Sequence, residues 1–103
     1  MKKYHFYIIA FLSCYFLSAS EINDCKYNNI DLKGKVKVVT YNADFKVKIV
    51  DYAADLNVKT VKYAPNDCGE WQFVSYDEDF SIQFVDYAED FSIHFVQHSP
   101  GEK

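Results

Sequence analysis

The sequence predicts an all-β domain of six short strands, built from an eleven-residue repeat and arranged in two pseudo-symmetric halves. Tyrosines mark the repeat at intervals of eleven residues with one gap of thirteen, and His98 takes the sixth place. These tyrosines are Tyr41, Tyr52, Tyr63, Tyr76 and Tyr87. A unit this short cannot bury its own apolar face, so its copies must stabilise one another.

Alternating side chains predict the strands. Residues 45–49 read Phe-Lys-Val-Lys-Ile, and residues 80–84 and 91–95 repeat the pattern with Ser, Gln or His in the polar places. A period of two buries one face of a strand and leaves the other in water. Val, Ile, Phe and Tyr dominate these segments, which favours a pleated sheet over a helix.

A Tyr-x-x-Asp phrase separates the strands. It ends on Asp44, Asp55, Asp79 and Asp90, whose short side chains are expected to cap turns by bonding to nearby backbone amides. The phrase lacks the glycine that two-residue hairpins usually contain. The sequence therefore favours corners that carry the chain to a different layer over a meander of tight hairpins. Periodicity alone predicts a β-sandwich or a barrel.

A longer symmetry relates the two halves. Residues 36–65 overlay residues 71–100 after a shift of 35, with 11 of 30 pairs identical, and residues 66–70 form a turn-rich junction. The first half carries lysines where the second carries neutral polar residues or histidine: Lys37, Lys46, Lys48, Lys59 and Lys62. We interpret this difference as a charge complementarity that pairs half with half, within one chain or by exchange between two.

The N-terminus predicts export. Residues 1–20 contain two lysines, an apolar run and the small residues Ser18-Ala19-Ser20, as in a signal peptide cleaved after Ser20. Two alternatives stay open, an uncleaved anchor and lipidation at Cys14. Residues 21–35 are then a leader segment and residues 36–103 a single β-repeat domain. The predicted location is periplasmic or extracellular.

The cysteines indicate a disulfide, and the net charge limits the classes of partner that the chain can bind. An oxidising compartment favours a disulfide between Cys25 and Cys68, the alternative being two free thiols. After cleavage the chain has 15 acids, nine lysines and no arginine, a net charge of −6. An acidic chain without arginine is a poor partner for nucleic acid. Stable membrane insertion after cleavage is not expected.

The run VKVVTYNADFKVKIVDYAADLNVKTVKY, followed by Trp71 and QFVSYDEDFSIQFVDYAEDFSIHFV, resembles the septoil-knot domain family of bacteria. The resemblance covers residues 35–101. It implies a small β-rich domain whose backbone forms a seven-crossing torus knot, and it carries over no catalytic residues. Two departures are His98 in a tyrosine place and Cys68-Gly69-Glu70 in the central turn. Threaded chains are otherwise essentially absent from folded proteins.

Two kinds of ligand site are weighed against a purely structural role. Acidic pairs such as Asp51 with Asp55, and Asp86 with Asp90, offer oxygens to calcium, yet no recognised calcium-loop motif is present. Tyrosines and Trp71 could stack on sugars or anchor a protein. Buried rings that pack at the strand ends are the simpler expectation for six equivalent positions.

Catalytic chemistry has weaker support. His94 and His98 lie too far apart along a strand to share zinc, and no third ligand is evident. Neither a nucleophile beside a base nor a pair of carboxylates across a cleft stands out from the repeat. We predict no cofactor, no metal and no enzyme activity. The expected function is a structural or binding role, with a weak glycan or calcium module as the alternative. Self-association, including fibres, remains open.

Overall fold

The computed structural model describes residues 22–102, and within that range it contains nine strands and no helix. The strands are β1 (Lys26–Tyr27), β2 (Ile30–Asp31), β3 (Gly34–Val38), β4 (Phe45–Ile49), β5 (Leu56–Thr60), β6 (Glu70–Phe73), β7 (Phe80–Phe84), β8 (Phe91–Phe95) and β9 (Gly101–Glu102). The all-β prediction is confirmed. The proposed signal peptide and Cys14 lie outside the described residues.

Six parallel strands, β3 to β8, close into a barrel. Around the barrel they follow the order β3-β7-β4-β8-β5-β6, and β6 pairs again with β3. Strands of the first half (β3, β4, β5) therefore alternate with strands of the second (β7, β8, β6). The chain makes two laps, and the second lap interleaves the first. β9 adds an antiparallel partner to β5.

The register explains how short corners can join parallel strands, which usually need a crossover of about a dozen residues. Val38, the last residue of β3, pairs with Ile82 of β7, which in turn pairs with Phe45, the first residue of β4. The end of one strand is thus level with the start of the next. Residues 39–44 need only pass sideways across the outer face of β7. The connections are corners and not tight hairpins, as predicted, but they carry the chain to another strand of the same barrel and not to a different layer.

The junction between the laps is longer because it inserts β6 between β5 and β3. Its turn is held by Glu70, whose carboxylate accepts the amides of Asn66 and Asp67 at 3.1 Å. Gly69 has φ +83°, and a Cβ there would lie 2.4 Å from the carbonyl oxygen of Asn57. The interval between repeat tyrosines is thirteen residues here instead of eleven, and the two extra residues provide this turn.

The core is formed by the inward side chains of each strand except the last one, together with Leu32 of the preceding segment. Eleven apolar side chains are 0–1% exposed: Leu32, Val36, Phe45, Val47, Leu56, Val58, Trp71, Phe80, Ile82, Phe91 and Ile93. The aromatic members pack edge to face, with Phe45 5.4 Å from Phe80 and Phe80 5.5 Å from Trp71. Burial of each such side chain contributes about 1.5–3 kcal/mol.

Residues 22–32 cover the barrel end where the strands begin. Tyr27 packs its ring on Phe45 and Phe91, at centroid distances of 5.4 and 5.5 Å. The indole N–H of Trp71 donates to the carbonyl of Leu32 at 3.2 Å. The segment predicted to be a leader therefore packs against the domain as a cap.

A disulfide fastens the cap to the barrel. It joins Cys25 to Cys68 with a Cα–Cα distance of 5.9 Å, as the cysteine pairing predicted. The Cys25 amide also donates to the carboxylate of Glu102, the last residue of β9. One covalent bond thus links the cap to the junction between the laps, and one hydrogen bond links it to the C-terminus.

The register also accounts for the lysines of the first half. Each outward lysine of β3, β4 and β5 faces a neutral or acidic residue of the other lap: Lys35–Gln72, Lys37–Ser81, Lys46–Gln83, Lys48–Ser92 and Lys59–Glu70. Like charges directly opposite each other would be destabilising.

The charge-complementarity interpretation needs correction on this point. Among residues 22–102 the only ion pair is Lys26–Asp31, within the cap. Charge affects the pairing of the halves in a different way. Interleaving keeps the lysines apart, because a neutral or acidic residue lies opposite each one on the neighbouring strand.

Residues 22–102 contain no helix that could cross a membrane.

Candidate functional site

The repeat aspartates join the two laps. Asp44 accepts the amide N–H of Ser81 at 2.9 Å and its hydroxyl at 3.3 Å, and the Asp44 amide donates to that hydroxyl at 3.0 Å. Asp55 makes the same three bonds to Ser92, at 3.0, 3.2 and 3.0 Å. Because Ser81 points outward from β7, these bonds also show that the corner passes over the outside of the barrel.

Two further aspartates bind in the opposite direction, from the second half to the first. Asp79 accepts the Lys35 amide at 2.8 Å, and Asp90 accepts the Lys46 amide at 2.7 Å. A Cβ on Gly34 would lie 2.3 Å from the Asp79 carboxylate, so glycine makes room for this bond. The predicted turn caps therefore need correction: all four carboxylates bind a strand 37 or 44 residues away rather than their own turn.

Burial of the repeat tyrosines, the simpler expectation, is wrong. Their side chains are 73–84% exposed: Tyr41, Tyr52, Tyr63, Tyr76 and Tyr87. We call these five residues the tyrosine belt. His98, in the sixth place, is also exposed. Six equivalent positions are thus kept in solvent, where their rings add little to the stability of the barrel.

The backbone explains why the belt projects outward. The residue after each repeat aromatic has a left-handed conformation, with φ between 56° and 66°: Asn42, Ala53, Ala64, Asp77, Ala88 and Ser99. This conformation costs alanine roughly 1–2 kcal/mol. It turns the chain sharply at the apex of each corner, so that the preceding ring points away from the barrel.

Each corner passes a different strand, so the belt surrounds the barrel. In the order β3, β7, β4, β8, the passing aromatics are Tyr76, Tyr41, Tyr87 and Tyr52. The corners that pass β5 and β6 carry His98 and Tyr63. Because β6 pairs with β3, all five tyrosines form a continuous arc over neighbouring strands, and His98 at β5 completes the circle. The sequence predicts equivalent positions, but only the path of each corner shows that they face solvent.

A second surface, which the sequence did not predict, lies where the parallel strands end. The last inward position of each strand is too close to the open end to be buried. Its apolar members are 37–51% exposed: Val38, Ile49, Phe73, Phe84 and Phe95. We call these residues, together with Thr60 of β5, the apolar end. Phe73 still contacts the core through Trp71, at a centroid distance of 6.2 Å.

Side-chain size alternates around the apolar end. In the order of the strands the residues are Val38, Phe84, Ile49, Phe95, Thr60 and Phe73. A groove of about 380 Å³ is lined by Val38 and Phe73 with Lys37, Val74 and Ser75. The sequence signal for this surface is the last residue of each strand, which has the same alternation phase as the core.

Within residues 22–102, the structure does not gather the carboxylates and histidines considered as metal ligands into one cluster. In residues 22–102, the one group of three potential metal ligands is Cys25, Cys68 and Glu102, whose cysteines form the disulfide. The His94 Nδ1 lies 2.9 Å from the carbonyl oxygen of Val50, within a corner. His98 belongs to the next corner. The structure does not bring the two histidines to a common site.

The chain was compared with known proteins and protein families. A search of curated proteins finds no significant match. A family model described as the 7(1) septoil knot domain matches residues 29–103. The match includes the barrel, all the corners and part of the cap. Two interleaved laps closed into a parallel barrel are consistent with a knotted backbone. The chain belongs to the septoil knot domain family.

Proposed function

We propose that this protein is an exported, non-catalytic domain that binds a ligand through its tyrosine belt. The observation that carries the proposal is the 73–84% exposure of five equivalent tyrosines around one closed barrel. Exposed rings lose hydrophobic stabilisation, and here some rest beside alanines in a left-handed conformation. A feature that is costly for the fold and repeated in this way is best explained by contacts with another molecule.

A glycan is the ligand class that this arrangement favours. Tyrosine offers an apolar ring face and a polar hydroxyl, which together suit sugar rings. The arc presents five such rings over neighbouring strands, in the order Tyr63, Tyr76, Tyr41, Tyr87 and Tyr52. The calcium alternative has less support, because the four repeat carboxylates already accept backbone amides.

A non-catalytic role is supported by the bonds that the serine, cysteine and histidine side chains make within the fold. The hydroxyls of Ser81 and Ser92 are bound by aspartates, and both cysteines of the described chain are in the disulfide. The His94 ring pairs with a backbone carbonyl. These groups have structural roles, so a nucleophile or base would have to come from elsewhere.

Export is supported by the signal-like residues 1–20 and by the disulfide, which persists in oxidising compartments. Cell fractionation followed by mass spectrometry of the purified protein tests it. We expect an exported chain that begins at Glu21. A cytoplasmic chain that retains Met1 would contradict the proposal.

The binding proposal is tested by affinity electrophoresis against a panel of soluble polysaccharides. We expect retardation by at least one of them, and loss of it when Tyr41, Tyr76 and Tyr87 are all changed to alanine. The matched control changes the same residues to phenylalanine, which keeps the rings and should keep most binding. Unchanged migration of the wild type across the panel, or retardation of the alanine variant, would refute glycan binding.

A further inference from the structure

The disulfide closes the first lap into a covalent ring. It joins Cys25, before β3, to Cys68, after β5, so residues 25–68 form a closed loop. The strands β3, β4 and β5 of this ring occupy every second place around the barrel. The ring therefore encircles the barrel once. Residues 69–102, which contain β6 to β9, follow the ring in the sequence, and we call them the tail.

The tail passes outside the strands of the ring at three corners. The amides of Val74, Val85 and Val96, which begin these corners, donate to carbonyls of β3, β4 and β5 at 2.8–2.9 Å. Asp79 and Asp90, which end the first two corners, accept amides of β3 and β4. Each corner thus leaves one side of a ring strand and arrives at its other side. It must pass outside, because buried side chains fill the inside of the barrel.

The ring passes outside the strands of the tail at three other corners. The amides of Val39, Val50 and Val61 donate to carbonyls of β7, β8 and β6 at 2.8–2.9 Å. Asp44 and Asp55 bind two of these corners to β7 and β8. Along the tail, passages inside and outside the ring therefore alternate in the order β6, β3, β7, β4, β8, β5. Six alternating passages amount to three turns of the tail about the ring.

We propose that this disulfide is a redox-dependent lock on the wound chain. While the bond is intact the ring has no free end, so the tail can leave it only by withdrawing its own C-terminus through the three turns. Movement of the N-terminus cannot undo the winding. A dithiol opens the lock by giving two electrons and two protons to the bond, which leaves Cys25 and Cys68 as thiols and converts the dithiol to a disulfide. Either end of the chain can then unwind. This role does not depend on glycan binding.

The positions of the cysteines support this role. Cys25 lies before the first strand of the first lap and Cys68 follows its last corner, at a sequence separation of 43 residues. The bond thus encloses the whole first lap and no strand of the second. A tail that has left the ring must be threaded back through it, and steps that bring distant segments together are slow. Retained winding removes that step, so a protein that unfolds briefly in an oxidising compartment should refold quickly.

The test measures refolding after different times in denaturant. A helical domain without cysteine that stays folded in concentrated urea is ligated by a transpeptidase to the C-terminus of the already folded protein, where it blocks withdrawal of the tail. The product is held in urea for delays from seconds to a day and then diluted. Fluorescence of Trp71, which is buried in the folded protein, follows refolding. We expect the oxidised, C-terminally blocked protein to refold at the same rate after every delay.

Two matched arms isolate the bond. The same blocked protein with a dithiol present in the urea and in the dilution buffer should refold at least ~10-fold more slowly after the longest delay, because its N-terminal end unwinds and must thread again. Oxidised protein with the domain ligated to its N-terminus leaves the tail free, and its refolding should also slow with delay. The comparison uses the dependence on delay within each arm, so the stability lost on reduction does not enter it.

A variant with serine at Cys25 and Cys68, blocked at the C-terminus, repeats the reduced arm without a reductant and should slow in the same way; if it does not fold, chemical reduction decides. Equal dependence on delay in the oxidised and reduced C-terminally blocked proteins would overturn the proposal, whether both slow or neither does. Refolding of the N-terminally blocked protein that is independent of delay would contradict withdrawal through the C-terminus and overturn it as well.

Discussion

The bonds between Asp44 and Ser81 should contribute measurably to stability, since they connect the corner of one lap to a strand of the other. Changing Asp44 to alanine removes a carboxylate that accepts the Ser81 amide at 2.9 Å and its hydroxyl at 3.3 Å. Ser81 is only 8% exposed, so water cannot readily replace the lost acceptor. Hydrogen bonds to a charged group contribute about 1.5–3 kcal/mol. Asp44 itself is exposed, which places our expectation near the middle, at about 2 kcal/mol.

Equilibrium urea unfolding, followed by fluorescence of the buried Trp71, measures this loss. Each urea concentration should be approached from both the folded and the unfolded protein, because rearrangement of a threaded chain is expected to be slow. The variant with asparagine at Asp44 keeps an acceptor oxygen and should lose about half as much stability.

Asp51 provides the control, because it is exposed and makes no hydrogen bond within residues 22–102. Its change to alanine should alter the free energy of unfolding by less than about 0.5 kcal/mol. Equal effects of the two alanine substitutions would refute the role given to the Asp44 carboxylate. A double-mutant cycle with alanine at Ser81 should show a coupling of about 1 kcal/mol, and no coupling would contradict the observed bond.

Three other predictions concern the cap, the corners and the strand register. Replacing Cys25 and Cys68 with serine should lower the free energy of unfolding by about 2–5 kcal/mol, measured as a lower urea midpoint; an unchanged midpoint would refute the stabilising role of the disulfide. Ala88 has φ 59°, so glycine there should change stability by less than about 1 kcal/mol while valine should destabilise by more; thermal unfolding that ranks them oppositely would contradict the left-handed corner. Changing Gln83 to lysine, opposite Lys46, should cost roughly 0.2–1 kcal/mol at low salt and less at high salt; a loss independent of salt would exclude charge repulsion as its cause.

Local pattern was enough to predict the strands. Alternation within residues 45–49 reports burial directly, because Phe45 and Val47 are inward while Lys46 points out. The lack of glycine after Tyr41 likewise predicted a corner rather than a hairpin. Both inferences depend on neighbouring residues alone, and both are confirmed.

Properties that depend on contacts between residues far apart in the sequence could not be predicted from local pattern. Asp44 has the spacing of a turn cap, and only the interleaving of the laps brings Ser81 within reach of its carboxylate. Tyr87 is apolar enough for a core, and its exposure follows from the path of the corner over β4. Phe84 has the phase of a buried residue, but it lies at the open end of the barrel. In each case the deciding contact is 37 or more residues away, or absent.

The interleaved order has a consequence for how the protein is made. Since β3, β4 and β5 pair with none of one another, a nascent chain that ends at Thr60 has no sheet to form. Its barrel contacts become available only as the second lap emerges from the ribosome, and the high contact order predicts slow maturation. We therefore expect its β segments to stay unpaired through much of synthesis, which exposes them to aggregation in the meantime.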